Sequence, residues 1–188
     1  MTPLLKNLVR LALATAFVLL IPLVAMQFTH EVVWTVTDFV FAGTLLFGTG
    51  LTYELIARKG GTRAYRLAVG VALAAGFLLI WLNLAVGLIG SEQNPANLLY
   101  GGVLVVGITG ALLARFRPQG MARTLLLMAA AQVLVPVLAL LLWQPRTILG
   151  ADFAEVPIVL GVTALFVTLW VGAAWLFRYA GTRSLQQG

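Results

Sequence analysis

The stretch Met121–Trp143 reads MARTLLLMAAAQVLVPVLALLLW and carries a single charged residue, Arg123, in its first turn. An apolar run of this length is what an α-helix needs to cross the hydrocarbon core of a bilayer. Because lipid offers no hydrogen-bond partner to an open backbone, only a helix or a closed barrel can span it, and a continuous apolar run is typical of the helix. The stretch therefore predicts a transmembrane helix.

Five further apolar segments share this character. The six run from Leu8 to Met26, Val33 to Ile56, Leu67 to Ile89, Leu98 to Ala114, Met121 to Trp143 and Pro157 to Phe177. Hydrophobic residues make up 61% of the 188 residues and charged residues only 10%, whereas a soluble domain is about a quarter charged. We predict an all-α fold, a single polytopic transmembrane domain of six helices over residues 1–188.

Basic residues are sorted to one side of this scheme. Six crossings put both termini on the same side, and eleven of the twelve lysines and arginines fall there, the exception being Arg146. The acidic residues show the opposite bias, with only Glu54 toward the basic side. The positive-inside rule then predicts cytoplasmic termini. We expect the first segment to be retained as a helix, because Leu23–Met26 matches a signal-peptide cleavage site poorly.

The residue inventory excludes several kinds of chemistry. The chain has no cysteine and one histidine, His30, which excludes thiolate metal sites and a bis-histidine haem within one chain. No Walker loop, HExxH or G-x-S-x-G motif occurs. Topology accounts for the net charge of +6, so no nucleic-acid partner is expected. We expect no cofactor, no metal and no catalytic residue, and favour a non-enzymatic protein.

Four polar residues inside the apolar segments are candidates for a ligand or ion site: Asp38, Glu54, Asn83 and Gln132. Such groups are costly in lipid and are functional hypotheses by default. Each also has a structural interpretation, since Asp38 could cap a helix, Glu54 precedes Arg58 by one helical turn, and the two amides could join helices. Convergence on one cavity would favour transport, and separate local partners would favour a structural role.

Small residues at helical spacing predict packing faces. They are Ala68, Ala72 and Gly76 on the third segment and Gly107 and Ala111 on the fourth. Small side chains let membrane helices approach closely, which matters because apolar burial gives no driving force in lipid. Packing within the chain, a homo-oligomer face and a cleft for a lipid-like ligand are the alternatives.

The segments also suggest an internal repeat of three helical hairpins. Arg10, Arg66 and Arg123 open the odd-numbered segments, and Asp38, Asn97 and Glu155 open the even-numbered segments at their outer ends. Hairpins of equal orientation would be related by an axis along the membrane normal. The alternative is chance similarity, because membrane helices share a narrow composition.

The loop Ser91–Asn97 is the most distinctive polar segment. Its Asn94-Pro95-Ala96 is similar to the aquaporin signature, but only one copy exists and Asn97 stands where an arginine usually follows. Those departures exclude an aquaporin. Asn94-Pro95 instead predicts a helix start, with proline in the first turn.

Three stretches resemble small uncharacterised bacterial multi-pass membrane proteins. They are Glu92–Val103, Ala114–Arg123 and Glu54–Gly61. The resemblance implies a bacterial cytoplasmic membrane and brings no activity and no site residues. We expect a non-enzymatic accessory or lipid- or apolar-ligand-binding module in contact with membrane lipid. The alternative is a small channel or transporter acting as a homo-oligomer, and a larger membrane complex is a further expected setting.

Overall fold

The computed structural model describes residues 3–142 and 156–186, and these ranges contain helices, turns and no strand. The helices are α1 (Pro3–Phe28), α2 (Val36–Ala57), α3 (Arg63–Ala85), α4 (Leu99–Leu113), α5 (Pro118–Leu142) and α6 (Val156–Gln186). A 3₁₀ turn, Pro95–Leu98, leads into α4. All six helices, the fourth counted with its 3₁₀ turn, are long and apolar enough to span a membrane. The predicted all-α fold of six spanning helices is confirmed.

Helix boundaries depart most from the sequence prediction at α6. The predicted segment ends at Phe177, whereas the helix continues to Gln186. Hydropathy marks only the apolar part of a helix, while backbone hydrogen bonds continue as long as the chain stays helical. Trp143, Arg146, Asp152 and Glu155, which enter the segment and charge assignments above, lie outside the described residues.

The helices fall into two compact units, Met1–Leu55 and Ile56–Gly188. In the first, the N-terminal unit, α1 and α2 are antiparallel. Asn7 donates to Glu54, and a Cβ atom added at Gly43 would lie 3.3 Å from Leu19 Cδ1. The hydroxyls of Thr44, Thr49 and Thr52 each donate to the carbonyl four residues earlier, at 2.7 Å. These bonds satisfy the three threonine hydroxyls within the helix itself. The single domain over 1–188 stays a prediction.

The second unit, called the four-helix unit, is built on α5 and α6. Helix α6 packs along both α5 and α3, and α5 also packs along α4. Buried residues recur at alternating spacings of three and four: Met121, Leu125, Met128, Gln132, Val135 and Ala139 on α5, and Val159, Thr163, Phe166, Trp170, Ala173, Phe177 and Ala180 on α6. That spacing is typical of knobs-into-holes packing between nearly antiparallel helices.

The predicted packing residues occupy different environments. On α4, a Cβ atom at Gly107 would lie 2.7 Å from Met128 Sδ of α5, so the glycine permits close approach of the two helices. Ala68 on α3 is fully buried, and Ala72, Gly76 and Ala111 are partly buried. A Cβ atom at Gly76 would meet no atom within 4 Å. The closest helix contact at these positions therefore lies between α4 and α5.

The turn between α4 and α5 has an unusual backbone. Arg115 and Phe116 have φ of 49° and 59°, the left-handed region that glycine normally occupies. The Phe116 N–H donates to the Ala111 carbonyl at 3.2 Å, as in a Schellman motif. The Tyr65 hydroxyl donates to the Phe116 carbonyl at 2.7 Å, and Lys59 Nζ lies 4.0 Å from the centroid of the Phe116 ring. Contacts from outside the turn thus stabilise a conformation that is locally unfavourable.

Candidate ligand site

Asp38 caps the start of α2. Its Oδ2 atom accepts from the Thr35 N–H at 2.7 Å and from the Thr35 hydroxyl at 2.8 Å, and the Asp38 N–H donates to Thr35 Oγ1 at 3.4 Å. Trp34 packs edge-on against Phe39, with ring centroids 5.1 Å apart. Reciprocal capping with an apolar contact across it is a standard way to fix a helix N-terminus. This geometry gives Asp38 a structural role.

Glu54 has a partner on the neighbouring helix of the N-terminal unit. Its Oε2 atom accepts from Asn7 Nδ2 at 3.1 Å. Asp38 and Glu54 are sixteen residues apart on α2, which is about 24 Å along a helix axis. The two carboxylates therefore do not form one site. The pairing of Glu54 with Arg58 stays a prediction.

Asn83 contacts the partly buried loop that follows the C-terminal end of α3. Its Nδ2 atom donates to the Asn97 carbonyl at 2.9 Å. Its Oδ1 atom is buried and has no hydrogen-bond partner among the described residues. One half of this amide is thus used to hold the 3₁₀ turn against α3, and the other half is unused.

Asn97 organises the loop, a role that the sequence did not indicate. Its Oδ1 atom accepts from the N–H groups of Leu88 and Ile89 at 3.0 and 2.9 Å. Its Nδ2 atom donates to the carbonyls of Ile89 and Ser91 at 3.3 and 2.8 Å. Ile89 is fully buried, and backbone groups that are buried away from water need hydrogen-bond partners. One side chain supplies four of them.

The loop enters the 3₁₀ turn as the sequence predicts. Asn94 caps the turn, with Oδ1 accepting from the Ala96 N–H at 3.0 Å, and Pro95 stands at its first position. Gly87, with φ of 71°, has no room for a side chain, because a Cβ atom there would lie 2.7 Å from the Glu92 nitrogen. Asn94-Pro95 is confirmed as a helix start, here of a 3₁₀ turn that continues into α4.

Gln132 is the only one of the four predicted polar residues that lies in the middle of the packed core. Its side chain is 0% exposed. Neither Oε1 nor Nε2 has a hydrogen-bond partner in residues 3–142 or 156–186. Each buried polar group left unpaired costs on the order of 1–3 kcal/mol. A complete amide without partners is therefore an uncompensated feature of the four-helix unit.

Three further buried polar groups share this property. They are the hydroxyl of Tyr100 on α4, and the hydroxyl of Thr163 and Nε1 of Trp170 on α6. The two hydroxyls lie close enough to interact with each other, although neither has a partner in good hydrogen-bond geometry within the described part of the chain. We call Tyr100, Gln132, Thr163 and Trp170 the polar cluster. Of these four residues only Gln132 was predicted from the sequence, although Thr163 and Trp170 lie seven residues apart on one helix face.

Helix register places the cluster at one depth in the unit. At the end of the α5–α6 pair where α5 begins, a Cβ atom on Gly181 would lie 3.5 Å from Pro118 Cβ. Counting along both helices from that contact sets Gln132 level with the stretch between Thr163 and Trp170. The Gly107–Met128 contact similarly sets Tyr100 about one turn beyond Gln132. The four groups therefore occupy about 10 Å of axial length.

The cluster offers a mixed set of hydrogen-bonding groups in an apolar frame. The glutamine amide donates and accepts, each hydroxyl can do both, and the indole N–H only donates. Phe166, fully buried, stacks on Trp170 with centroids 6.4 Å apart. A small number of polar groups among aromatic and apolar side chains is the usual composition of the residues that line a small-molecule site. No group of three metal-ligating side chains occurs among the described residues.

Comparisons with known proteins add no relative. No protein-family model, no curated protein and no solved structure matches the chain.

Proposed function

We propose that this protein is a non-enzymatic membrane protein whose four-helix unit binds a small molecule at the polar cluster. The observation that carries the proposal is the fully buried Gln132 amide, with both of its polar atoms unpartnered in the described structure. A ligand that bears a donor and an acceptor would compensate those groups. The apolar surroundings favour a ligand whose remaining surface is apolar.

The alternative of a channel or transporter has less support. A pathway needs polar groups from one face of the membrane to the other. Toward the α4–α5 turn, the layers beyond the cluster contain the buried apolar residues Leu125, Ala173 and Phe177. The buried Thr124 at this level donates its hydroxyl to the Gly120 carbonyl of its own helix at 3.1 Å. Asp38 and Glu54 lie far apart in the N-terminal unit and bond to Thr35 and Asn7. Separate local partners were the expected sign of a structural role for these two carboxylates.

Substitution of Gln132 by leucine tests the proposal. We expect Gln132→Leu to abolish retention of the ligand and to leave the ligand-free protein as stable as the wild type or about 1 kcal/mol more stable, because two unpaired polar atoms are removed. The measurement is mass spectrometry of small molecules released from protein purified in mild detergent, together with unfolding in SDS.

The matched controls for this experiment lie on one helix. Thr163→Val removes a cluster hydroxyl and should also weaken retention. Thr168→Val removes an exposed hydroxyl that donates to the Ala164 carbonyl at 2.8 Å, and it should retain the ligand fully. The proposal fails if wild-type protein releases no small molecule near one per chain. It also fails if Gln132→Leu clearly destabilises the ligand-free protein, which would show that the amide has partners of its own.

We also propose the bacterial cytoplasmic membrane as the location, with both termini in the cytoplasm. The asymmetry of lysine and arginine supports this orientation. Reporter fusions at each end should both give cytoplasmic signals, and opposite signals from the two ends would reject the scheme. A homo-oligomer, a larger complex and the hairpin repeat stay predictions. On the hairpin repeat, the α5–α6 pair packs far more extensively than the α3–α4 pair, so these two hairpins are not packed alike.

A further inference from the structure

A second feature of the four-helix unit lies at the end where α5 begins. An open groove of about 340 Å³ is lined by Ala114, Arg117, Pro118, Gln119, Gly120, Arg123 and Gly181. Arg123, the groove residue nearest to Gln132 along α5, is nine residues from it, about 14 Å. The groove is therefore distinct from the ligand site proposed above.

The groove is cationic and lies beside a turn that is held by contacts from other residues. Arg117 and Arg123 are both exposed, and none of the lining residues is acidic. Arg117 directly follows the left-handed pair Arg115 and Phe116. Tyr65 and Lys59 fix that turn through the Phe116 carbonyl and ring, so the backbone that leads into the groove is held from outside. Guanidinium groups are suited to phosphate oxygens because their donors form a planar fork.

The position of the groove selects the source of the phosphate. It lies where α5 begins, at the boundary of an apolar span, Pro118–Leu142. Most basic residues of the chain are predicted on this side. Basic pockets between membrane helices at this level are suited to the headgroups of anionic lipids. We propose that the groove between the α4–α5 turn and the end of α6 binds the phosphate of an anionic phospholipid through Arg117 and Arg123.

Lipid retention tests the proposal. Protein is equilibrated with phosphatidylglycerol or phosphatidylcholine in mixed micelles, and bound lipid is counted by native mass spectrometry. We expect wild-type protein to prefer phosphatidylglycerol. Arg117→Gln and Arg123→Gln should each weaken that preference about five-fold. Arg178→Gln, an exposed charge change on α6 outside the groove lining, should leave it unchanged.

Two further measurements keep the test decisive. The preference of the wild type should fall between 50 and 500 mM salt, a result that needs no folded variant. Inorganic phosphate alone identifies the other source of the same chemistry. The proposal is overturned if millimolar inorganic phosphate displaces the bound phosphatidylglycerol and binds as tightly as the lipid does, which would assign a free-anion site. It is also overturned if Arg178→Gln weakens the preference as much as the groove variants, which would show a diffuse field.

Discussion

Asn97→Leu is expected to destabilise the four-helix unit by about 4 kcal/mol. The substitution removes four hydrogen bonds, each worth about 1 kcal/mol, and leaves the N–H groups of Leu88 and Ile89 buried without an acceptor. Leucine has a similar volume, so the loss comes from polar satisfaction and not from a cavity. SDS-driven unfolding of purified protein measures the change.

Two neighbouring substitutions sharpen this expectation. Asn94→Ala removes one cap bond, to the Ala96 N–H, and should cost only about 1 kcal/mol. Asn97→Asp keeps an acceptor for the two N–H groups but turns a carboxylate oxygen toward the carbonyls of Ile89 and Ser91. It should therefore be clearly less stable than Asn94→Ala. Equal stability of Asn97→Leu and Asn94→Ala would disprove the organising role of Asn97.

Gly60→Ala is expected to destabilise the same unit by about 2–3 kcal/mol, although it adds a single methyl group. A Cβ atom at Gly60 would overlap the ring of Tyr65. That ring is held in place, because its hydroxyl donates to the Phe116 carbonyl at 2.7 Å. It also packs edge-to-face with the Phe177 ring, with centroids 5.2 Å apart. Overlap with a fixed aromatic ring forces the α2–α3 turn to move.

The adjacent glycine provides a matched control in the same turn. A Cβ atom at Gly61 would meet no atom within 4 Å, so Gly61→Ala should be neutral or slightly stabilising through the unfolded chain. In a Tyr65→Ala background, Gly60→Ala should lose most of its effect, which a double-mutant cycle in SDS measures. A full penalty in that background would mean that the ring is not what excludes the methyl group.

The contrast between Gly60 and Gly61 shows why sequence alone could not predict these effects. The two residues are identical, adjacent and outside a helix. They differ only in what α3 places above them. Similarly, the predicted α3 face shares Ala68 with the buried line through Tyr65, Ala68, Ala75 and Leu79, but Gly76 lies beside that line. A helix that is apolar all round carries no moment that selects a face.

The candidate site was predictable only in part, and for a related reason. A glutamine in the middle of an apolar run is a conspicuous polar group, so Gln132 was found from sequence. Tyr100, Thr163 and Trp170 are common residues of membrane helices, and nothing in their neighbourhoods along the chain distinguishes them. Their shared depth follows from the α4–α5 and α5–α6 registers. The organising role of Asn97 was likewise not predictable, because its partners come close only in the folded conformation of the loop.

The sequence by itself determined the solvent and the secondary structure of this protein. Long apolar runs must satisfy their backbone groups internally in lipid, which predicts six helices and is confirmed. Tertiary structure alone decided which polar atoms are satisfied. Asn97 finds four partners and Gln132 none within the described chain. Hydrogen bonding of a side chain depends on which atoms lie within about 3 Å, and that distance is fixed by the loop conformation for Asn97 and by helix register for Gln132, not by local composition.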